Sequence, residues 1–226
     1  ASGFTIKHFN DYKKFRKIIG YEVEIPISGF ADDKVTPSKI KNMDNIALFD
    51  RDCIILDFGA VKYGYLWFFP KRKKISVGMG GLPMDSVKIK RYLISFIKET
   101  NLFKVKNNFD FRIYAHFIPV RKKNDFISSF RILTAGDAAG FGDGFTGEGL
   151  HNAILSSHLA FGSIDKALKN SSFEFGDYYE KAKNEIIRNI DYSVMISKIF
   201  FSSQYFYYKL IKKNESLFKS CCKVLR

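Results

Sequence analysis

The stretch that most constrains the fold is a glycine-rich loop between an apolar run and a helical pattern, "RILTAGDAAGFGDGFTGEGLHNAILSSHLA", residues 131–160. Its glycines, Gly140, Gly142 and Gly144 among them, allow backbone conformations that other residues avoid, including positive φ. After the loop a stripe of mainly apolar residues recurs at helical spacing. The stripe consists of Leu150, Ala153, Ile154, Ser157, Phe161, Ile164 and Leu168. The pattern predicts a short strand ending at Ala135, a tight loop and then a helix.

The composition of this loop is typical of a ligand site. Asp137 follows the apolar run, so we expect its carboxylate at the end of a strand. The helix that Thr146–Gly149 opens offers free N–H groups and the positive end of its dipole, which suit phosphate or another electron-rich group. An acceptor and such donors also suit the ribityl hydroxyls and the N1–C2=O edge of a flavin. The loop alone does not separate a flavin site from a phosphate site.

Composition narrows the class of protein. The chain has 226 residues, 46% of them hydrophobic and 27% charged, as in a soluble globular protein with one sizeable core. The net charge of +14 favours anionic partners, or a solvated basic surface. No pattern of an RNA- or DNA-binding module is present, so we expect no specific nucleic acid.

The cysteines and histidines argue against a disulfide framework and against a zinc site. The three cysteines, Cys53, Cys221 and Cys222, do not form a disulfide framework and favour a reduced, cytoplasmic protein. Neither they nor the four scattered histidines have zinc-ligand spacing, so no metal site is expected. No apolar run of about 18 residues predicts a membrane-spanning helix.

Periodicity along the rest of the chain predicts strands, one helix, more strands and then helices. Strands are predicted at residues 21–27, 45–50, 53–59, 63–70, 74–81 and 109–120, and helices at 86–99, 150–168 and 176–201. From Tyr207 onward, apolar residues alternate with a basic face, which predicts an amphipathic helix. The order indicates an α+β protein with one antiparallel sheet and a helical C-terminal third.

Residues 136–157, "GDAAGFGDGFTGEGLHNAILSS", resemble the second flavin-binding motif of the geranylgeranyl reductase family, within the larger group with the p-hydroxybenzoate hydroxylase fold. Three shorter segments agree with the family in order: "ASG" at residues 1–3, the Y-x-W-x-FPK signature, and "HFIPVRK" at 116–122. The motif residues that match are Gly136, Asp137, Ala138, Ala139, Gly140, Phe141, Asp143, Thr146, Gly147, Glu148, Gly149, Ala153 and Ser156, and the signature residues are Tyr65, Trp67, Phe69, Pro70 and Lys71.

The resemblance implies FAD as cofactor and hydride transfer from reduced flavin to C=C bonds of a prenyl lipid. Tyr65, Trp67 and Phe69 would form a wall of the substrate pocket. The cofactor-binding residues that it implies are Gly136, Asp137, Ala138, Ala139, Thr146, Gly147, Glu148, Gly149, Leu150 and His151. It assigns residues 1–20 to the end of an FAD-domain segment, 21–125 to an antiparallel substrate domain, 126–170 to the final strand-loop-helix of a Rossmann-like FAD domain, and 171–226 to C-terminal helices.

The chain departs from the family in lacking its GxGxxG segment, which binds the ADP half of FAD. We therefore expect this sequence to be the C-terminal portion of a longer protein. Gly144 also stands where the family commonly has Pro. Two alternatives stay open: a flavin monooxygenase-like enzyme on the same fold, and a non-catalytic basic fragment that binds lipid. The basic C-terminal helix could dock on its own domain or lie on the cytoplasmic face of a membrane.

Overall fold

A computed structural model describes residues 16–26, 54–61, 63–99, 112–122, 126–216 and 219. The predicted strand at 45–50, all three cysteines and the "ASG" segment lie outside the described residues. Contacts divide the chain into two units, one of residues 19–117 and one of residues 1–18 with 118–226.

The first unit, called the sheet unit below, contains a five-stranded sheet in the order β2-β3-β4-β1-β5. Neighbouring pairs β1–β4, β2–β3 and β3–β4 are antiparallel. The strands are β1 (Arg16–Pro26), β2 (Ile55–Asp57), β3 (Tyr65–Pro70), β4 (Lys74–Gly81) and β5 (Ile113–Val120). The strands predicted at 63–70 and 74–81 pair as an antiparallel hairpin, with its turn at the basic residues 71–73.

One face of this sheet packs on helix α1 (Ser86–Glu99). Buried residues of α1 recur every fourth position, at Ile89, Leu93 and Ile97, and form one apolar stripe. On β3, Leu66 and Phe68 point into the same core. Val87, in the first turn of α1, is exposed.

The second unit, called the loop unit below, is mainly helical. A small hairpin, β6 (Ser128–Ser129) and β7 (Ile132–Leu133), precedes a 3-10 turn at Gly136–Ala139. The strand predicted up to Ala135 is thus shorter than expected. Thr134 instead binds the carbonyl of Ile127, through its amide at 2.9 Å and its hydroxyl at 3.0 Å.

The helices of the loop unit are α2 (Leu150–Asn170), α3 (Gly176–Ala182), α4 (Arg188–Ser202) and α5 (Gln204–Lys213), with a π-helical turn (Lys183–Ile187) joining α3 to α4. Tyr178 of α3 is fully buried and donates its hydroxyl to the carbonyl of Thr134 at 2.7 Å. Burial raises the pKa of this phenol. None of the described helices is long and apolar enough to cross a bilayer.

Helix α2 forms as predicted, but its large apolar stripe does not face the core. The side that packs inward carries small residues, with Ser156, Ser163 and Ala167 buried beside Leu159. The large residues of the stripe are exposed: Leu150 72%, Ile154 64%, Phe161 70%, Ile164 42% and Leu168 64%. The antiparallel sheet with separate helices confirms the α+β class.

Candidate functional site

The glycine-rich loop begins with a backbone conformation that favours glycine. Gly136 has φ of 53° and donates its amide to the hydroxyl of the buried Ser156 at 3.0 Å. The 3-10 turn that follows ends at Gly140, with φ of 69°, whose amide donates to the carbonyl of Asp137 at 3.0 Å. This turn fixes Asp137 at the start of the loop, beside the first turns of α2.

The middle of the loop is held by the end of β5. Val120 and Phe141 form an antiparallel bridge, and the amide of Arg121 donates to the carbonyl of Gly140 at 2.7 Å. A Cβ at Gly142 would lie 2.7 Å from Ile118 Cγ2 and 2.9 Å from the carbonyl oxygen of Pro119. Glycine is therefore needed at 142 because two backbone segments approach closely there.

The second half of the loop is shaped by Asp143. Its Oδ1 accepts the amides of Phe145 at 2.9 Å and Thr146 at 2.7 Å, and the Thr146 hydroxyl at 2.9 Å. The amide of Gly144 donates to Ser193 Oγ on α4 at 3.0 Å. Asp143 thus acts within the loop, and Thr146 uses its hydroxyl there.

The start of α2 leaves two backbone donors available. Glu148 Oε1 accepts the amide of His151 at 3.1 Å, and the amide of Gly147 donates to the carbonyl of Asp143 at 3.0 Å. The amides of Gly149 and Leu150 donate to no other residue in the described part of the chain. These two N–H groups, at the positive end of the helix dipole, can bind an electron-rich ligand.

A cavity of about 310 Å³ opens at this helix start. Asp137 stands beside Gly149, where a Cβ would lie 3.4 Å from its Oδ1. Its carboxylate accepts no hydrogen bond from any described residue. The cavity is lined by Ile118, Asp137, Gly147, Gly149, Leu150 and Ala153. An acceptor and two donors that have no partner in the described ranges therefore meet at one cavity.

The structure brings four of the predicted cofactor-binding residues to the cavity: Asp137, Gly147, Gly149 and Leu150. The remaining six are not among the lining residues: Gly136, Ala138, Ala139, Thr146, Glu148 and His151. Ala139 is fully buried in the core of the loop unit, and His151 is exposed.

The sequence interpretation missed two contributors. Ile118 lines the cavity, and Ser156 holds the loop at Gly136. Ser156 belongs to the matched motif, but spacing gave it no role. Ile118 lies in the segment "HFIPVRK" before the loop. The position of that segment in the family's order was the only sequence feature that pointed to a role for Ile118.

In the sheet unit, Tyr65, Trp67 and Phe69 lie on the face of β3 opposite the core. Their rings form a row, with centroids 6.0 Å apart for Tyr65–Trp67 and 6.1 Å apart for the stacked Trp67–Phe69 pair. All three side chains are half-buried. The three alternate residues share one face of β3 and form a continuous aromatic row, which leaves Leu66 and Phe68 to fill the core.

Trp67 is fixed by neighbours on β4 and β1. Its indole lies across Gly78, where a Cβ would overlap the ring. Its Nε1 donates to Ser76 Oγ at 3.2 Å, and Ser76 Oγ donates to Glu22 Oε1 at 2.7 Å. This chain of hydrogen bonds sets the plane of the ring on the glycine surface.

The basic turn after β3 is bound to β1. Glu24 accepts Lys71 Nζ and Lys74 Nζ, each at 2.8 Å. These hydrogen bonds, that of Lys71 first, lower the pKa of Glu24 from 4.5 to about 2. The hydrogen bond to Glu24 raises the pKa of Lys71.

Comparison with known proteins gives named relatives. The chain is 29% identical over 212 residues to the uncharacterized protein Mbar_A1602 of Methanosarcina barkeri, covering 88% of this chain and 52% of that protein. It is 28% identical to a digeranylgeranylglycerophospholipid reductase of Methanococcus vannielii, covering 70% and 42%. A third relative, digeranylgeranylglycerophospholipid reductase 3 of Methanosphaera stadtmanae, is 29% identical, covering 61% and 36%. No protein-family model matches.

The fold also has a solved counterpart. A geranylgeranyl bacteriochlorophyll reductase-like protein of Thermoplasma acidophilum superposes with a TM-score of 0.64 at 19% identity, covering 82% of this chain and 44% of that one. The chain spans about half the length, or less, of the relatives that it matches. The named relatives support the resemblance of this chain to the geranylgeranyl reductase family, and the solved structure supports the fold.

Proposed function

We propose that this chain forms part of an FAD-dependent oxidoreductase that reduces C=C bonds of a geranylgeranyl-type prenyl lipid. The observation that carries the proposal is the meeting of the Asp137 carboxylate with the amides of Gly149 and Leu150 at one cavity. Two relatives whose names state a reductase of digeranylgeranylglycerophospholipid support the substrate class.

The residues of the cavity fit the flavin end of FAD. Asp137 would accept hydrogen bonds from ribityl hydroxyls, and the two amides would donate to the N1–C2=O edge. Donors at that edge stabilise negative charge on the ring system, because they are pre-oriented at a helix start. FAD, when bound and reduced, would supply the hydride.

The aromatic row of the sheet unit supports a prenyl substrate. Tyr65, Trp67 and Phe69 present a large apolar surface on the face that the core does not use. Prenyl chains are apolar and bind by burial of such surface. These side chains would hold and orient the lipid, and the fixed plane of Trp67 would limit its path.

The proposal includes a further segment, outside these 226 residues, that binds the ADP half of FAD and completes a Rossmann-like domain. A cavity of about 310 Å³ is at the small end for cofactor sites, which suits a ring system rather than a whole dinucleotide. The exposed apolar stripe of α2 also supports this further segment, which would cover the stripe. Proteins rarely leave so large an apolar face in contact with water.

Flavin titration tests the site. Riboflavin and FAD should bind this chain with similar affinities, since only the flavin end meets the cavity. Asp137→Ala should weaken both roughly 10- to 100-fold, the usual effect of losing hydrogen bonds to a charged group. Asp165→Ala is the matched control, because that exposed carboxylate pairs with Lys169 on the far part of α2. Unchanged flavin affinity in Asp137→Ala would contradict the site.

Reduction is tested separately. The chain, joined to its nucleotide-binding segment, is incubated with reduced FAD and a digeranylgeranyl lipid. Mass spectrometry should show the gain of one hydrogen pair for each double bond saturated. Flavin binding without any saturation would contradict the reductase while leaving the flavin site in place.

A further inference from the structure

We propose that the exposed face of helix α5 binds the headgroup region of an anionic lipid bilayer. This face consists of Tyr205, Phe206, Tyr208, Lys209, Leu210 and Lys213. The inference rests on α5 alone, so its failure would not bear on the flavin site or on lipid reduction.

Helix α5 has two different sides. Tyr207 and Ile211, four positions apart, are half-buried, and the Tyr207 ring lies 6.3 Å from that of the buried Phe200 on α4. The opposite side projects large side chains outward, with Tyr205 71%, Phe206 58%, Tyr208 53% and Leu210 46% exposed. Helix α5 is thus docked on one side and exposes large apolar and aromatic side chains on the other.

The charge of this face favours an anionic partner. Residues 204–213 contain three lysines and no acidic residue, within a chain of net charge +14. Neither Lys209 nor Lys213 forms an ion pair in the described part of the chain. Lys209 Nζ instead lies 4.4 Å from the centre of the Tyr205 ring. Lys209 and Lys213 therefore remain available to bind phosphate groups.

The mixture of side chains fits a bilayer surface better than another protein. Tyrosine and lysine both have an apolar body and a polar tip, so they settle at the level of lipid headgroups. Phe206 and Leu210 reach further toward the acyl chains. A straight helix of 10 residues, about 15 Å long, can lie flat on such a surface.

The exposed apolar stripe on α2 can be compared with the exposed face of α5. It is as exposed as α5, with Phe161 at 70%, but its lysines Lys166 and Lys169 lie within ion-pair distance of Asp177 and Asp165. If exposed apolar surface alone caused vesicle binding, α2 would bind vesicles as well as α5. If unpaired lysines beside aromatic rings are required, only α5 would bind them.

Vesicle co-sedimentation tests the proposal with the whole chain. Binding is expected to vesicles of phosphatidylcholine mixed with phosphatidylglycerol, and not to phosphatidylcholine alone. It should fall steeply at 1 M salt, where the screening length is about 3 Å. Equal binding to both kinds of vesicle would overturn the proposal.

Four variants locate the surface. Each lysine near an anionic surface contributes about five-fold to binding, so Lys209→Gln with Lys213→Gln should weaken it roughly 30-fold. Lys88→Gln with Lys90→Gln makes the same change in net charge on α1 and should leave binding within about two-fold of the wild type, if local charge decides. Tyr205→Ser with Phe206→Ser should also weaken binding, whereas Phe161→Ser on α2 should not.

Three outcomes would overturn the assignment. Equal losses in the two lysine pairs would show that diffuse net charge binds the vesicles. A loss only in Phe161→Ser would move the surface to α2. Light scattering that shows a dimer in the wild type and a monomer in Tyr205→Ser with Phe206→Ser would make a second copy of this chain the occupant of α5. Circular dichroism checks that each variant is folded, as expected for exposed side chains.

Discussion

Glycine is required for different physical reasons at different positions of the two units. In the sheet unit, Gly78 provides space, because a side chain there would enter the ring of Trp67. In the loop unit, Gly140 provides conformation, with φ of 69°. Gly142, also in the loop, provides space between backbone segments. Glycine-rich sequence therefore does not mean flexibility, and each position has its own substitution cost.

The largest effect is expected for Gly78→Ala. The new Cβ would overlap the Trp67 ring and lie 2.6 Å from the carbonyl oxygen of Tyr21, so the sheet face must rearrange at a cost of about 3 kcal/mol. Trp67 is the single tryptophan, so its fluorescence reports this face directly. Gly20→Ala is the control, since its Cβ would meet the same ring at an ordinary 3.5 Å. Similar spectra and unfolding curves for both variants would contradict the steric role of Gly78.

A smaller loss of folding stability is expected for Gly142→Ala. Its Cβ would press on Ile118 and on the carbonyl oxygen of Pro119, which costs roughly 2 kcal/mol. Because Ile118 lines the cavity, flavin affinity should fall together with the midpoint of urea unfolding. A variant with wild-type flavin affinity would show that this contact does not shape the cavity.

Gly140→Ala tests backbone conformation, because Gly140 has a φ of 69°. A positive φ costs a residue with a Cβ about 1–2 kcal/mol. Gly140→Ala should therefore lose about that much stability in urea unfolding. Gly162→Ala, in the interior of α2 with nothing within 4 Å of the new Cβ, should instead stabilise by about 0.5–1 kcal/mol. A Gly140→Ala variant as stable as the wild type would exclude backbone conformation as the reason for glycine at this position.

The smallest effect is expected from charge on the sheet unit. The pKa of Glu24 is lowered from 4.5 to about 2 by Lys71 and Lys74. A lowered folded-state pKa stabilises the fold above about pH 4.5, and that contribution is lost as the pH falls from 4.5 toward 2. The wild type should melt slightly above Glu24→Gln at pH 7, and the difference should vanish near pH 2. A difference in melting temperature that is constant with pH would assign the effect to something other than this carboxylate.

Several elements could be predicted because their signals are local. The β3–β4 hairpin, α1 and α2 follow from alternation, helical spacing and a basic turn, which depend on neighbours in the chain. The order of segments and the loop motif also indicated the resemblance to the geranylgeranyl reductase family. The placement of Asp137 beside a helix start was predicted from the same local pattern.

Other features needed the folded chain. The spacing of α2 predicts an apolar stripe, but periodicity does not reveal which face finds a partner, and Ser156, Ser163 and Ala167 are the residues that pack inward. Ile118 reaches the cavity, and Ser76 holds Trp67, through contacts between segments far apart in sequence.

The sequence by itself determined where the loop, the helices and the aromatic row lie along the chain, because backbone propensity and side-chain alternation act over a few residues. Only the tertiary structure decided which of those residues meet. It left the carboxylate of Asp137 and the amides of Gly149 and Leu150 without partners among the described residues, at one cavity, since hydrogen bonds across the loop had already used the neighbouring groups.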